Sequence, residues 1–113
     1  MERPLLVYTT FPDAEVALSV GEALVRLRLA ACVNVLPGMR SVYAWKGAVE
    51  RADEVVALIK SRETLAEPLA AALKSRLPYE TPIVLHLPVS EADPETLAWI
   101  LRETAPDQAP FNG

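Results

Sequence analysis

The sequence predicts an α+β fold of a single domain, in the order β-α-β-β-α-β with an added C-terminal helix. Short β-branched runs alternate with stretches of helical period, and prolines and glycines separate these segments. The length of 113 residues suits one core. With 51% hydrophobic and 23% charged residues, the chain has enough apolar material to fold.

The first strand and the first helix are predicted on either side of Pro12. Residues 5–11 are apolar, β-branched or aromatic, which is typical of a strand buried on both faces. Asp13 then offers a helix N-cap. A stripe of helical period follows and predicts a helix from about 13 to 30. The stripe consists of Val16, Val20, Leu24 and Leu27.

A long hairpin is predicted next. Its first strand covers residues 31–45 and is interrupted at Pro37-Gly38, where we expect a bulge or a bend because proline cannot donate a ladder bond. A turn at Lys46-Gly47 leads into a second strand that is polar at first and apolar up to Lys60. We expect the outer end to protrude, and its aromatic side chains then require a partner.

The second half of the chain predicts a helix, a strand and a further helix. Leucines and alanines recur at helical spacing from residues 62–64 to Pro78, and Pro68 falls in the first turn, where it is tolerated. Residues 82–89 are typical of a strand bounded by prolines. The segment Asp93-Pro94-Glu95 combines an N-cap with proline at the first helical position.

This order is the ferredoxin-like arrangement, in which helices cover one face of a four-stranded antiparallel sheet. We expect the single domain, residues 1–113, to have its core over about 5–104 and a flexible, proline-rich tail over 105–113. Four strands this apolar do not leave their second face to water. We therefore expect that face to be covered by further copies of the chain.

Composition argues against several classes of function. A net charge of −4 without a basic patch disfavours nucleic-acid binding. No apolar run approaches the roughly 18 residues of a membrane span. Cys32 is the only cysteine, so no disulfide forms within the chain, and the start at Met1 lacks the features of a signal peptide. We expect a soluble protein of the reducing cytoplasm.

Few residues suggest catalysis, and we expect no enzyme. His86, the one histidine, lies in an apolar strand and is either a packing residue or a general base. No glycine-rich phosphate loop or metal-ligand spacing occurs within the chain. Cys32 is either an inert packing residue or a soft metal ligand in a site shared between copies.

A second candidate site combines aromatic rings with one cation. A cleft between subunits that binds a small anion is one interpretation, and interface packing with a snorkelling lysine is the other. Nearby hairpin carboxylates are interpreted as a solvated face rather than as ligands. The candidate cleft residues are Tyr43, Trp45, Lys60 and Tyr79, and the hairpin carboxylates are Glu50, Asp53 and Glu54.

Several segments of the chain together resemble the CutA family of divalent-cation tolerance proteins over about residues 5–104. They are Ala31-Cys32-Val33-Asn34, Pro37-Gly38, Ser41 to Gly47, Lys60-Ser61, Pro78-Tyr79-Glu80-Thr81-Pro82, Leu87-Pro88-Val89 and Trp99. The resemblance implies a PII-like homotrimer with a role in tolerance of divalent metals, copper above all. It favours a non-enzymatic binding or signalling scaffold. A PII-like sensor that binds an anion or a nucleotide between subunits is the alternative.

The chain departs from the family pattern where copper ligands are expected. Leu77 and Ile83 occupy positions where the family commonly has histidine and glutamate, and Thr9 stands where some members carry cysteine. Leucine and isoleucine cannot coordinate copper. Cys32, or carboxylates shared between subunits, are then the candidate ligands for copper or another divalent cation.

Overall fold

The computed structural model of the chain describes residues 2–111. Within these residues, four strands and three helices alternate as the sequence predicts. Their bounds are β1 Pro4–Phe11, α1 Ala14–Arg26, β2 Cys32–Trp45, β3 Ala48–Arg62, α2 Ala66–Arg76, β4 Val84–Pro88 and α3 Pro94–Glu103. No helix among them is both long enough and apolar enough to cross a membrane.

The four strands form one antiparallel sheet in the order β2-β3-β1-β4. Helices α1 and α2 pack on one face of it, where Leu24, Leu69 and Leu73 are fully buried. The predicted ferredoxin-like fold class is confirmed by this order of strands.

The core is built on the pairing of β1 with β3. Val7 lies opposite Ile59, and Thr9 lies opposite Ala57. All four side chains are completely buried. Alternate residues of a strand point to the same face, so these four share the face that the helices cover. Tyr8 and Leu58, which lie between these residues on β1 and β3, belong to the other face.

Helix α1 begins where the sequence predicts and ends earlier. Asp13 Oδ1 accepts a hydrogen bond of 2.8 Å from the Val16 amide. The predicted end near residue 30 is wrong, because the helix stops at Arg26. Arg28 adopts a left-handed conformation with φ 63°, and the Leu29 amide bonds back to the Leu24 carbonyl at 3.0 Å. This is a Schellman ending, with arginine in the place where glycine usually signals it.

The bend predicted in the hairpin is confirmed. The register between β2 and β3 shifts between Leu36 and Met39, and Gly38 has a positive φ of 85°. The tip is a two-residue turn in which Lys46 and Gly47 both have positive φ, as tight hairpins require.

The remaining elements differ from prediction only at their ends. A 3₁₀ turn over Glu63–Leu65 precedes α2. Strand β4 is shorter than the predicted 82–89. Helix α3 begins at Pro94, and Asp93 Oδ2 accepts a bond of 3.1 Å from the Glu95 amide, as expected.

The end of α3 is fixed to β3 by Arg62. Its guanidinium donates to the Leu101 carbonyl and to Thr104 Oγ1, the latter at 2.9 Å. Thr104 is fully buried, and its hydroxyl donates to the Ile100 carbonyl at 2.6 Å. A cation at the C-terminal end of a helix also complements the helix dipole.

The sequence predicts a flexible tail, whereas the structure places its described part against the protein. The Phe111 amide donates to the Arg26 carbonyl at 2.9 Å. The local sequence does not show this contact, because the two residues lie far apart in the chain. Residues 112–113 of the predicted tail lie outside the described residues.

Two buried threonines give a matched test of core hydrogen bonding. Thr9 Oγ1 has no hydrogen-bond partner among the described residues, whereas Thr104 Oγ1 has two. We predict that Thr9→Val raises the free energy of unfolding by about 1 kcal/mol, since it removes an unpaired buried hydroxyl. Thr104→Val should lower it by about 1–3 kcal/mol. Chemical denaturation measures both, and a loss of stability in Thr9→Val would contradict the prediction.

Candidate functional site

The face of the sheet opposite α1 and α2 is largely apolar, and most of its side chains are partly exposed in the single chain. On β3, the side chains of Val56 and Leu58 must point to this face, because Val55, Ala57 and Ile59 are buried against the helices. The same register places further residues beside them: Leu6, Tyr8 and Thr10 of β1, Cys32, Asn34 and Leu36 of β2, Lys60 of β3, and Leu85 and Leu87 of β4. We call this set the open face.

The hairpin extends the open face beyond the helices. Tyr43 and Trp45 are two positions apart on β2 and therefore project from the same side of the hairpin. Tyr43 lies opposite Glu50 in the β2–β3 register. Val42 and Val49, which belong to the other side, are strongly exposed. The predicted protruding hairpin with unpartnered apolar side chains is present.

Tyr79 reaches the base of this hairpin from the segment between α2 and β4. Its hydroxyl donates to Glu54 Oε2 at 2.8 Å. Burial raises the pKa of Tyr79 far above its usual value, and the bond to Glu54 raises it further. Thr10 lowers this pKa and Tyr43 raises it, but burial and Glu54 have the larger effects. The phenol therefore remains a hydrogen-bond donor over the physiological pH range.

A second contact joins the same segment to the hairpin tip. Lys46 Nζ lies 3.5 Å from Glu80 Oε2 and 5.5 Å from the centre of the Trp45 ring. Both charged side chains are about two-thirds exposed, so water screens the pair and its energy is small. The two contacts nevertheless show that Tyr79 and Glu80 lie beside the hairpin.

The structure separates Lys60 from the other candidate cleft residues within one chain. Lys60 lies six positions beyond Glu54 on β3, which is about 20 Å at the usual rise of a strand. Its register neighbours on the open face are Cys32 and Leu6. Tyr79 contacts Glu54, whereas Tyr43 lies opposite Glu50 and Trp45 lies opposite Ala48, still further from Lys60. A cleft that contains all four predicted residues therefore needs a second copy of the chain.

In the described part of the chain, the predicted metal ligand Cys32 pairs with Lys60 in the β2–β3 register and not with a histidine or a carboxylate. Its thiol is half-buried on the open face. His86 pairs with the buried Val7 and so belongs to the opposite face of the sheet. No group of three histidine, cysteine, aspartate or glutamate residues able to hold a metal occurs within residues 2–111. The residues of one chain thus do not fit a copper site.

The three positions where the resemblance implies metal ligands are not equivalent. Thr9 and Leu77 are buried, whereas Ile83 is exposed. Thr9 lies on the face that the helices cover, away from Cys32. Coordination through these three positions is excluded by the chemistry of Leu77 and Ile83.

Sequence reasoning missed Glu54, which it assigned to a solvated face. In the structure this carboxylate is half-buried and holds Tyr79. The sequence does contain one indication that Glu54 is partly buried. Glu54 has the same strand parity as Val56 and Leu58, and it directly precedes the apolar half of β3. A carboxylate in that position points to the same face as the apolar residues and needs a donor.

Comparison with known proteins identifies one family. The family model described as CutA1 divalent ion tolerance protein matches residues 5–103. The divalent-cation tolerance protein CutA of Pectobacterium atrosepticum is 43% identical over 103 residues, which are 88% of this chain and 94% of that protein. By contrast, the chain spans only 55% of the chloroplastic protein CutA of Arabidopsis thaliana, at 36% identity over 88% of this chain.

Solved structures agree in fold. The divalent cation tolerance protein Cut A1 from Thermus thermophilus superimposes with a TM-score of 0.87 at 37% identity, covering 90% of this chain and 99% of that one. CutA from Archaeoglobus fulgidus, described as a periplasmic divalent cation tolerance protein, has a TM-score of 0.87 at 30% identity, with 89% and 98% covered.

The hydrogen bond between Tyr79 and Glu54 predicts that the free energy of unfolding depends on pH in the alkaline range. Tyr79→Phe should lower the free energy of unfolding at neutral pH by about 1–3 kcal/mol, because Glu54 loses its donor. The pKa of Tyr79 is raised in the folded state, so its contribution is complete below the unfolded pKa of about 10 and is lost above it. The variant should therefore lose less stability than the parent as the pH rises above 10.

Tyr43→Phe is the matched control, since that exposed phenol makes no side-chain hydrogen bond among the described residues. Denaturation curves at several pH values measure the effect. Equal behaviour of the two variants would contradict the role assigned to Tyr79.

Proposed function

Because the chain belongs to the CutA1 family of divalent ion tolerance proteins, we propose that it acts in divalent-cation tolerance as a non-enzymatic, homotrimeric binding or signalling scaffold. The open face, which continues into the hairpin, carries this proposal. We further propose the cytoplasm as its compartment, since the one cysteine is free.

The open face supports assembly on energetic grounds. Leu85 and Leu87 are about half exposed in the single chain, beside the apolar row of β1 and β3. Burial of each such side chain stabilises an interface by up to about 1.5–3 kcal/mol. Contiguous apolar surface of this kind marks interaction sites on folded proteins.

The hairpin also supports assembly, because its apolar side chains are exposed in the single chain. We propose that they contact the next copy of the chain. Head-to-tail contacts of this kind generate closed rings when the rotation closes. Three copies are the number that the family resemblance implies.

A charge on the open face should break the assembly and leave the chain folded. Leu85→Glu places a carboxylate at a side chain that is 56% exposed in the single chain, so the monomer tolerates it. Leu18→Glu is the matched control, because Leu18 is 59% exposed on α1, on the other side of the sheet. We predict that Leu85→Glu sediments as a monomer with an unchanged circular dichroism spectrum, whereas Leu18→Glu sediments as the parent does. Assembly of both variants would contradict the proposed interface.

We propose that metal binding takes place between copies of the chain rather than within one copy. Three copies bring three Cys32 side chains into one particle, and a thiolate is a soft ligand that suits Cu(I). The carboxylates of the hairpin are the remaining candidate ligands in such a site.

A titration with copper tests this proposal. We predict that the parent takes up copper and that Cys32→Ala reduces the affinity at least tenfold. His86→Ala controls for binding to the exposed imidazole and should leave the affinity unchanged. Equal copper affinity in Cys32→Ala and the parent would rule out Cys32 as a ligand. An absence of copper uptake by the parent would contradict metal binding.

The alternative function is a sensor for a small anion or nucleotide in a cleft between copies. The separation of Lys60 from Tyr43, Trp45 and Tyr79 favours a composite cleft, because a neighbouring copy can supply the cation that one chain does not bring to the rings. A rise in melting temperature with an organic anion, absent in Lys60→Met, would favour this alternative over the scaffold.

A further inference from the structure

The described C-terminal segment, residues 105–111, returns from the end of α3 to the end of α1. We call it the strap. Within it, the Gln108 amide bonds to the Ala105 carbonyl at 3.1 Å, which forms a turn. Its last described residue, Phe111, donates its amide to the Arg26 carbonyl at 2.9 Å. That carbonyl belongs to the last turn of α1, where the helix itself offers no donor.

Arg28 makes the side-chain contacts that hold the strap. Its guanidinium carbon lies 3.7 Å from the centre of the Phe111 ring, and its Nε donates to the Ala109 carbonyl at 3.2 Å. The same guanidinium pairs with Glu103 Oε1 at 3.0 Å. Only 15% of the Arg28 side chain is exposed, so these contacts occupy nearly all of it.

The backbone conformation of Arg28 is unfavourable for a residue with a side chain. Its φ of 63° lies in the left-handed region, which costs a non-glycine residue about 1 kcal/mol or more. Glycine ends a helix in this way without that cost. The contacts of the guanidinium to α3 and to the strap compensate for the strain, which connects this side chain to the C-terminal segment.

The strap itself is weakly built. Residues 106–111 are exposed, and the Phe111 ring is 44% exposed although it stacks on a cation. Apart from its internal turn, the hydrogen bonds that hold it run to Arg28 and to the carbonyl of Arg26. Segments with few buried apolar contacts open locally at a small fraction of the global unfolding free energy.

From this geometry we propose that the strap is a latched element: Arg28 closes it over the C-terminal end of α1, and it opens as a local unit while the sheet and the helices stay folded. Opening releases the Arg26 carbonyl, the Arg28 guanidinium and the Phe111 ring together. Its anchor on α1 lies on the face of the sheet opposite the open face.

Hydrogen exchange of single amides in the full chain tests the latch. In the parent, we expect the Phe111 amide to be protected from exchange. Its protection should be weaker than that of the amides around Ile59 in the centre of β3. Arg28→Gly relieves the backbone strain and removes the latch, and Phe111→Ala removes the ring. Arg28→Gly should speed exchange of the amide at position 111 by about tenfold, from the loss of one cation–π contact and one hydrogen bond. Phe111→Ala should speed it by about threefold, because it loses the cation–π contact alone.

Arg26→Ala is the matched control. Its side chain pairs with Glu22 at 2.8 Å and not with the strap, and its carbonyl is retained in the variant. Exchange at position 111 should stay as in the parent, and exchange in β3 should be unchanged in all three variants. An unprotected Phe111 amide in the parent, or unchanged protection in Arg28→Gly, would overturn the proposal. So would an equal loss of protection in β3, because Arg28 would then support the whole fold.

Discussion

The alternation of side chains along β3 is the constraint on which the rest of the structure depends. This strand pairs with β1 on one side and with β2 on the other, so its register fixes the whole sheet. Val55, Ala57 and Ile59 point into the core beneath the helices. A slip of one residue would turn them outward and bring a charged Lys60 inward. The free energy of burying the core therefore also determines which residues form the open face.

The open face and the site at its edge follow from the same alternation. Val56 and Leu58 lie on the face opposite α1 and α2, and Glu54 continues their row toward the hairpin. Tyr79 covers Glu54 from the segment after α2 and supplies the hydrogen bond that a half-buried carboxylate needs. The hairpin is thus held at its base in the single chain, while its apolar side chains stay available to a neighbour.

The sequence predicted those features whose signals are local. The order of elements, the caps at Asp13 and Asp93 and the bulge beside Gly38 all depend on residues within a few positions of each other. Features that depend on distant partners were missed. The early end of α1 has arginine where glycine would have indicated it, and Arg28 meets Phe111 only after the chain has folded. The distance between Lys60 and Tyr79 likewise follows from strand register rather than from composition.

The account depends above all on the open face being an interface between copies. The most direct test is the molar mass of the unmodified chain by light scattering, measured from high to low micromolar concentration. We predict three times the chain mass of 12.3 kDa throughout that range. A mass of one chain at micromolar concentration would contradict the account, because the apolar row of the open face would then be stable in water.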